Sequence, residues 1–149
     1  MSSQDPKIIT HAITRFLARR EHSKTEIMQK LLSKDLDERM CYEQLQKFIE
    51  KGIQSDSRYL EAYVRSAYQK GKGPNVIRQT LISHSIEGTE VSESINQEQY
   101  DWYELAKQVR IKKFGHKLPT EFKHIQKQKR FLQYRGFEQP HIQYAFDKD

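Results

Sequence analysis

Apolar residues recur in this chain with a period near fifty, and that recurrence constrains the fold more than any other feature of the sequence. Leu81 and Ile86 have counterparts fifty residues earlier in Leu31 and Leu36, and fifty-one residues later in Leu132 and Phe137. The register extends back from Ile77 to Ile27, and forward through Cys41, Val91 and Ile142 to Leu45, Ile95 and Phe146. Self-similarity at this spacing is the mark of stacked supersecondary units. The clearest unit runs from Asp56 to Ile86. It reads as helix, turn, helix: Asp56 is the expected N-cap, Leu60, Tyr63, Val64 and Ala67 recur at helical spacing, and Gly71 closes the helix. Gly73-Pro74 then opens the next helix, since proline is tolerated where its missing N–H has no intrahelical partner.

The other two units have matching starts. Ser23-Lys24-Thr25-Glu26 is a capping box, and Leu118-Pro119-Thr120-Glu121 is the third start. Ser23 and Gly73 each lie eight residues before the matched leucine, whereas Pro119 lies thirteen before its own, so the third of these helices should be longer. Taken in order, the chain predicts a helix over residues 6–20 with Ile9, Ala12, Ile13, Phe16 and Leu17 on one stripe, then helices over 23–34 and 37–51. A short acidic helix follows over 87–97, anchored by Val91 and Ile95. Next comes a helix with Trp102, Leu105, Ala106 and Val109 inward and Lys107, Arg110, Lys112 and Lys113 largely off that face. Phe122, Ile125 and Leu132 face inward on the long helix from Pro119, and a last short helix spans 140–146. No period-2 alternation is long enough for a sheet, so the class is all-α, in modules 1–55, 56–97 and 98–149. Units this small bury little alone and should stack on one another.

Charge is distributed unevenly. Residues 82–104 hold six Asp/Glu and no Lys/Arg, whereas 105–137 hold ten Lys/Arg against one acidic residue, which exceeds the net charge of +6 of the whole chain. A block nearly free of carboxylates repels itself without a partner, which points to a polyanionic or acidic one. Arg15, Arg19 and Arg20, off the first apolar stripe, read as solubilising.

Catalytic and metal chemistry find little support. The single cysteine, Cys41, excludes an internal disulfide or a multi-thiolate zinc site and matches core positions. The six histidines form no i, i+4 pair, so no metal site is expected. No serine stands in a strand-to-helix elbow, and neither an enzyme nor a cofactor is expected. Gly71-Lys72-Gly73-Pro74 lacks the spacing and the Lys-Ser/Thr ending of a P-loop and reads as an interhelical turn. No stretch approaches the length of a membrane span, and a cytoplasmic protein is expected. Tyrosines do interleave with cations at Arg58-Tyr59, Tyr63 to Arg65, Tyr68 to Lys72 and Lys129 to Arg135, a pattern in which rings stack on bases while cations meet phosphates.

Three stretches together resemble a known family. Asp56-x-Arg58-Tyr59-x-Glu61-x-Tyr63-x-Arg65, Gly71-x-Gly73-Pro74-x-x-Ile77-Arg78-x-x-Leu81 and Gln128-Lys129-Arg130-Phe131-Leu132-x-Tyr134-Arg135-Gly136-Phe137 resemble the RecX family of recombinase regulators, over nearly the whole chain. The resemblance implies three tandem three-helix repeats in an elongated, curved arrangement. It also implies binding to the RecA recombinase filament and restraint of its growth and of its recombinase, ATPase and co-protease activities; a monomer is expected. The partner-binding residues expected on that reading are Arg58, Arg65, Lys70, Lys72, Arg78, Lys112, Lys113, Lys123, Lys127, Arg130 and Arg135. A direct DNA-binding module, on single strands or duplex, is the alternative. Family members often carry glycine where Asp35 and Ser85 stand here, and only Gly136 keeps it; Ala67 sits where many have arginine. Asp35 and Ser85 are therefore expected at positive φ, the conformation that glycine adopts without cost.

Overall fold

The computed structural model describes residues 5–148, which contain nine α-helices and no strand. They are α1 (Asp5–Arg19), α2 (Lys24–Leu32), α3 (Glu38–Glu50), α4 (Asp56–Gln69), α5 (Pro74–Ser83), α6 (Gly88–Ile95), α7 (Trp102–Phe114), α8 (Phe122–Tyr134) and α9 (Gln139–Ala145). They form three tandem three-helix repeats. The backbone divides into two compact units, one of residues up to Ala62 with His84–Ile86, the other of Tyr63–Ser83 with the chain from Glu87 onward.

In the first unit, α1, α2 and α3 close around Ile9, Ile13, Ile27, Leu31, Cys41 and Leu45, with Phe16 and Leu17 packed against them. The capping box at α2 is complete: Ser23 Oγ accepts from the Glu26 N–H at 3.1 Å, and Glu26 Oε1 accepts from the Ser23 N–H at 3.1 Å. Asp37 caps α3 through the Met40 N–H at 2.9 Å. Asp56 does not cap its own helix, contrary to the sequence reading. Ser55, one residue earlier, accepts the Arg58 N–H at 3.2 Å instead. The Asp56 carboxylate is thereby left to accept the Lys24 N–H at the start of α2 and the Gln54 side-chain amide, both at 2.9 Å. One carboxylate thus satisfies an orphan donor of a helix 32 residues away.

In the second unit, α7 and α9 pack closely over Ala106, Leu132, Phe137, Ile142 and Ala145. Trp102, buried at the start of α7, donates its indole N–H to the Ile95 carbonyl at 2.9 Å, tying the end of α6 to it. Gly71 ends α4 at φ +79°, and the Gly73 N–H donates to the Arg135 carbonyl at 2.8 Å. The Asn75 N–H donates to the Gly136 carbonyl at 2.9 Å. The free donors of this turn are therefore spent on the chain itself, and Gly71-Lys72-Gly73-Pro74 is a packing turn.

The repeat is visible position by position. Leu31, Leu81 and Leu132 are each fully buried. Asp35, Ser85 and Gly136 have φ of 58°, 63° and 100°, so the turn after the second helix of each repeat is left-handed, two of them without glycine. The register breaks at one place. Ile27 and Ile77 are buried, but their counterpart is Gln128, also buried, with its Oε1 meeting no donor among the described residues.

The third start departs from expectation. Leu118, Pro119 and Thr120 stay outside any helix and α8 begins at Phe122, preceded by Glu121 in extended conformation. Phe122, expected inward, is 75% exposed. As the first residue of α8 it lies at the end toward which helical side chains lean. Even so, α8 spans 13 residues against 9 for α2 and 10 for α5, so the third of these helices is the longest.

Candidate functional site

Positive charge gathers on α7 and α8, but the two most central cations of α7 do not face solvent. Lys107 and Arg110, expected off the apolar stripe, are buried. Arg110 is 1% exposed; its Nε donates to the Ala145 carbonyl at 2.7 Å and its Nη1 to the Gly115 carbonyl at 3.3 Å. Its guanidinium also lies 5.4 Å from the Phe146 ring centroid. A cation at two helix ends meets carbonyls that lack intrahelical donors, which offsets the cost of burial. Lys107 lies 5.7 Å from the Tyr144 ring centroid. Both are structural in this setting, and both were read from the sequence as surface charge.

Four of the expected partner-binding residues line one open cleft. Lys70 at the end of α4, Lys112 and Lys113 in the last turn of α7, and Arg135 just after α8 surround a cavity of about 510 Å³. Its apolar lining is Leu105, Val109 and Phe131, and no carboxylate among the described residues lines it. Arg135 donates from Nη2 to the Lys70 carbonyl at 2.6 Å, while its Nε meets no acceptor among the described residues. Gly71 makes this approach possible, since a Cβ there would stand 2.9 Å from Val109 and 3.0 Å from the Arg135 Nη2.

A second group stands on the outer face of α8. Lys123, Lys127 and Arg130, spaced i, i+4 and i+7, share one helical face, are all exposed, and lead at i+11 to Tyr134, which is 85% exposed. At about 1.5 Å per residue the stripe is roughly 16 Å long. Ile125, Gln128 and Leu132 occupy the opposite, inward face. Of the interleaved tyrosines, Tyr134 alone stands this far out. Tyr68 is drawn into a ring cluster with Tyr100 and Trp102, at centroid distances of 5.0 and 5.1 Å, and Tyr59 is buried with its hydroxyl 2.6 Å from His84 Nδ1.

The remaining expected residues are differently placed. Arg58, in the first unit, pairs through Nε with Glu21 at 3.0 Å and donates through Nη2 to the Gly52 and Ile53 carbonyls, both at 2.8 Å, which secures the end of α3. Arg78 pairs with Glu138 at 2.8 Å and reaches Asn75 Oδ1 at 3.2 Å. Their charge is largely answered within the chain. Arg65 is exposed on α4, and Lys72 is half-buried in the turn before α5. Among the described residues no group of His, Cys, Asp and Glu is placed to hold a metal ion, and no helix is long and apolar enough to cross a membrane.

Fold and charge together define a helical-repeat protein with a stripe of exposed cations on α8, in its third three-helix module. Comparison with known proteins gives that class a family. Residues 55–95 match the RecX second three-helix domain and residues 99–146 the RecX third three-helix domain. The regulatory protein RecX of Acinetobacter baylyi is 37% identical over 132 residues, spanning 89% of this chain and 82% of the relative. That of Vibrio vulnificus is 37% identical over 133 residues, spanning 89% and 87%. A crystal structure of RecX from Lactobacillus salivarius superposes with a TM-score of 0.73 at 22% identity, covering 97% of this chain and 96% of that one. A crystal structure of regulatory protein RecX gives 0.77 at 22% identity, covering 97% and 72%. The chain belongs to the RecX family of regulatory proteins.

Proposed function

We propose that this protein binds the RecA nucleoprotein filament as a monomer in the cytoplasm and restrains its growth, and with it the recombinase, ATPase and co-protease activities that depend on the filament. The observation that carries this reading, beside family membership, is the stripe of exposed cations on α8 together with the cleft that Lys112, Lys113 and Arg135 line. A nucleoprotein filament offers DNA phosphates and acidic side chains in one groove. Lys123, Lys127 and Arg130 suit phosphates, since they are exposed on one helical face and no carboxylate among the described residues pairs with them. Contacts of this kind speed association and weaken with salt. Catalysis is not required: occupying the groove is sufficient to hinder addition of further protomers.

Direct binding to naked DNA is a second reading, favoured by one feature, the exposed Tyr134 at the end of the α8 stripe, where a ring face is open to a base. Co-sedimentation at moderate salt with preformed RecA filaments, and separately with naked single-stranded DNA, separates the two. Preferential recovery with filaments supports the proposal. Equal recovery with both supports the DNA-binding reading.

A further inference from the structure

We infer that the cleft lined by Lys70, Lys112, Lys113 and Arg135 takes an acidic peptide segment in which carboxylates flank one apolar side chain. The inference rests on the reading that this module meets a protein partner, and it assigns that protein contact to a place distinct from the phosphate-facing stripe on α8. A volume of about 510 Å³ lies in the range of roughly 300–1,000 Å³ typical of small-ligand pockets. That is enough for one large side chain and its neighbours. The apolar lining of Leu105, Val109 and Phe131 gives such a side chain dry surface to cover.

The cations set the flanking chemistry. Lys70 enters from one wall, Lys112 and Lys113 from a second and Arg135 from a third, with no carboxylate among them. Arg135 spends one N–H on the Lys70 carbonyl, and no acidic side chain among the described residues pairs with it. Carboxylates on both sides of an apolar anchor would meet these charges at the rim, while the anchor stays in the interior. Nucleic acid fits this cleft poorly. Stacking needs an open ring face, and the one aromatic residue in the lining, Phe131, has Phe114 set perpendicular to it at 5.4 Å and the Lys113 ammonium 5.6 Å from its centroid. Aliphatic Leu105 and Val109 offer nothing to a phosphate.

The test uses the full-length chain and fluorescence anisotropy with three labelled peptides, Asp-Asp-Phe-Asp-Asp, Asp-Asp-Ala-Asp-Asp and Asn-Asn-Phe-Asn-Asn. The first should bind at least about tenfold more tightly than either of the others, because it alone supplies both anchor and charge. Lys112→Glu with Lys113→Glu should weaken it by a further tenfold or so, and reversal of Lys123, Lys127 and Arg130 by less than about threefold. The inference is overturned if the three peptides bind alike, if none binds, or if reversal on α8 costs as much as reversal on α7. The peptide comparison on the unaltered chain holds even if a variant folds poorly. RecA is absent throughout, so failure here tells against the cleft alone, and failure to restrain RecA tells against the broader reading alone.

Discussion

Gly73 and Gly136 lie backbone against backbone. A Cβ on Gly73 would overlap the carbonyl group of Gly136, and a Cβ on Gly136 would stand 2.7 Å from Val76 Cγ2. The flanking hydrogen bonds, Gly73 N–H to the Arg135 carbonyl and Asn75 N–H to the Gly136 carbonyl, depend on that approach. The two motifs Gly71-x-Gly73-Pro74 and Arg135-Gly136-Phe137, distant in sequence, are the two halves of one contact.

Gly73→Ala should therefore cost about 2–3 kcal/mol in urea unfolding, because backbone rather than a flexible side chain has to yield. Gly88, at the start of α6 with nothing within 4 Å of a Cβ, is the matched control. Gly88→Ala should be neutral or stabilising by up to about 1 kcal/mol. Equal effects at the two sites would remove the glycine contact from the account.

Ser85 at φ 63° and Asp35 at φ 58° hold a conformation that side chains disfavour. Ser85→Gly should stabilise the fold by up to about 1 kcal/mol, and Asp35→Gly by less, since aspartate tolerates the left-handed region better than serine. Differential scanning calorimetry reads the difference as an upward shift in Tm; a downward shift for Ser85→Gly would contradict it.

Acid should destabilise the protein through two histidines. Burial pushes the His22 pKa down, and the charges of Arg20 and Lys30 lower it further, against the Arg20 carbonyl, which accepts from Nδ1 at 3.0 Å, and against Glu26. The Lys30 ammonium lies 2.9 Å from Nε2, and donating to that nitrogen requires the neutral ring. Burial lowers the His141 pKa as well, with Arg78 adding to it against Glu138 and Asp101. Both folded-state values lie below the unfolded one of about 6.5, so the unfolded chain binds more protons as pH falls. Stability is thus complete above that value and declines from about pH 7 toward pH 5. Urea midpoints across this range should fall with pH, and His22→Gln should flatten the slope. A slope unchanged in both His22→Gln and His141→Gln would assign the effect to other groups.

Much of the fold was legible because its determinants are local or periodic. The 50-residue register, the capping box at Ser23 and Glu26 and the left-handed sites at Asp35 and Ser85 need only short stretches of chain to be read. What was not legible depends on tertiary partners. Ser55 or Asp56 could each cap α4, and the choice follows from Asp56 being taken by the Lys24 N–H. Arg110 looks like surface charge until the carbonyls of Gly115 and Ala145 converge on it. Gln128 holds an isoleucine position without any local signal to mark it as buried. Among the expected partner-binding residues, sequence alone does not distinguish Arg58 and Arg78, paired with Glu21 and Glu138, from Lys123 and Arg130, which meet no carboxylate among the described residues.

The central claim is that exposed cations of the third module carry the restraint of RecA, and single-stranded-DNA-dependent ATP turnover by RecA reads it most directly. The parent chain should lower turnover. The Lys123→Glu, Lys127→Glu, Arg130→Glu variant should lose at least about tenfold in potency, with helicity and melting nearly unchanged, since exposed charges away from packed features contribute little to stability. Reversal of the exposed residues Arg15, Arg19 and Lys24 should cost much less. If both variants restrain RecA as well as the parent does, the α8 stripe is only a solvated face and the account of function is wrong.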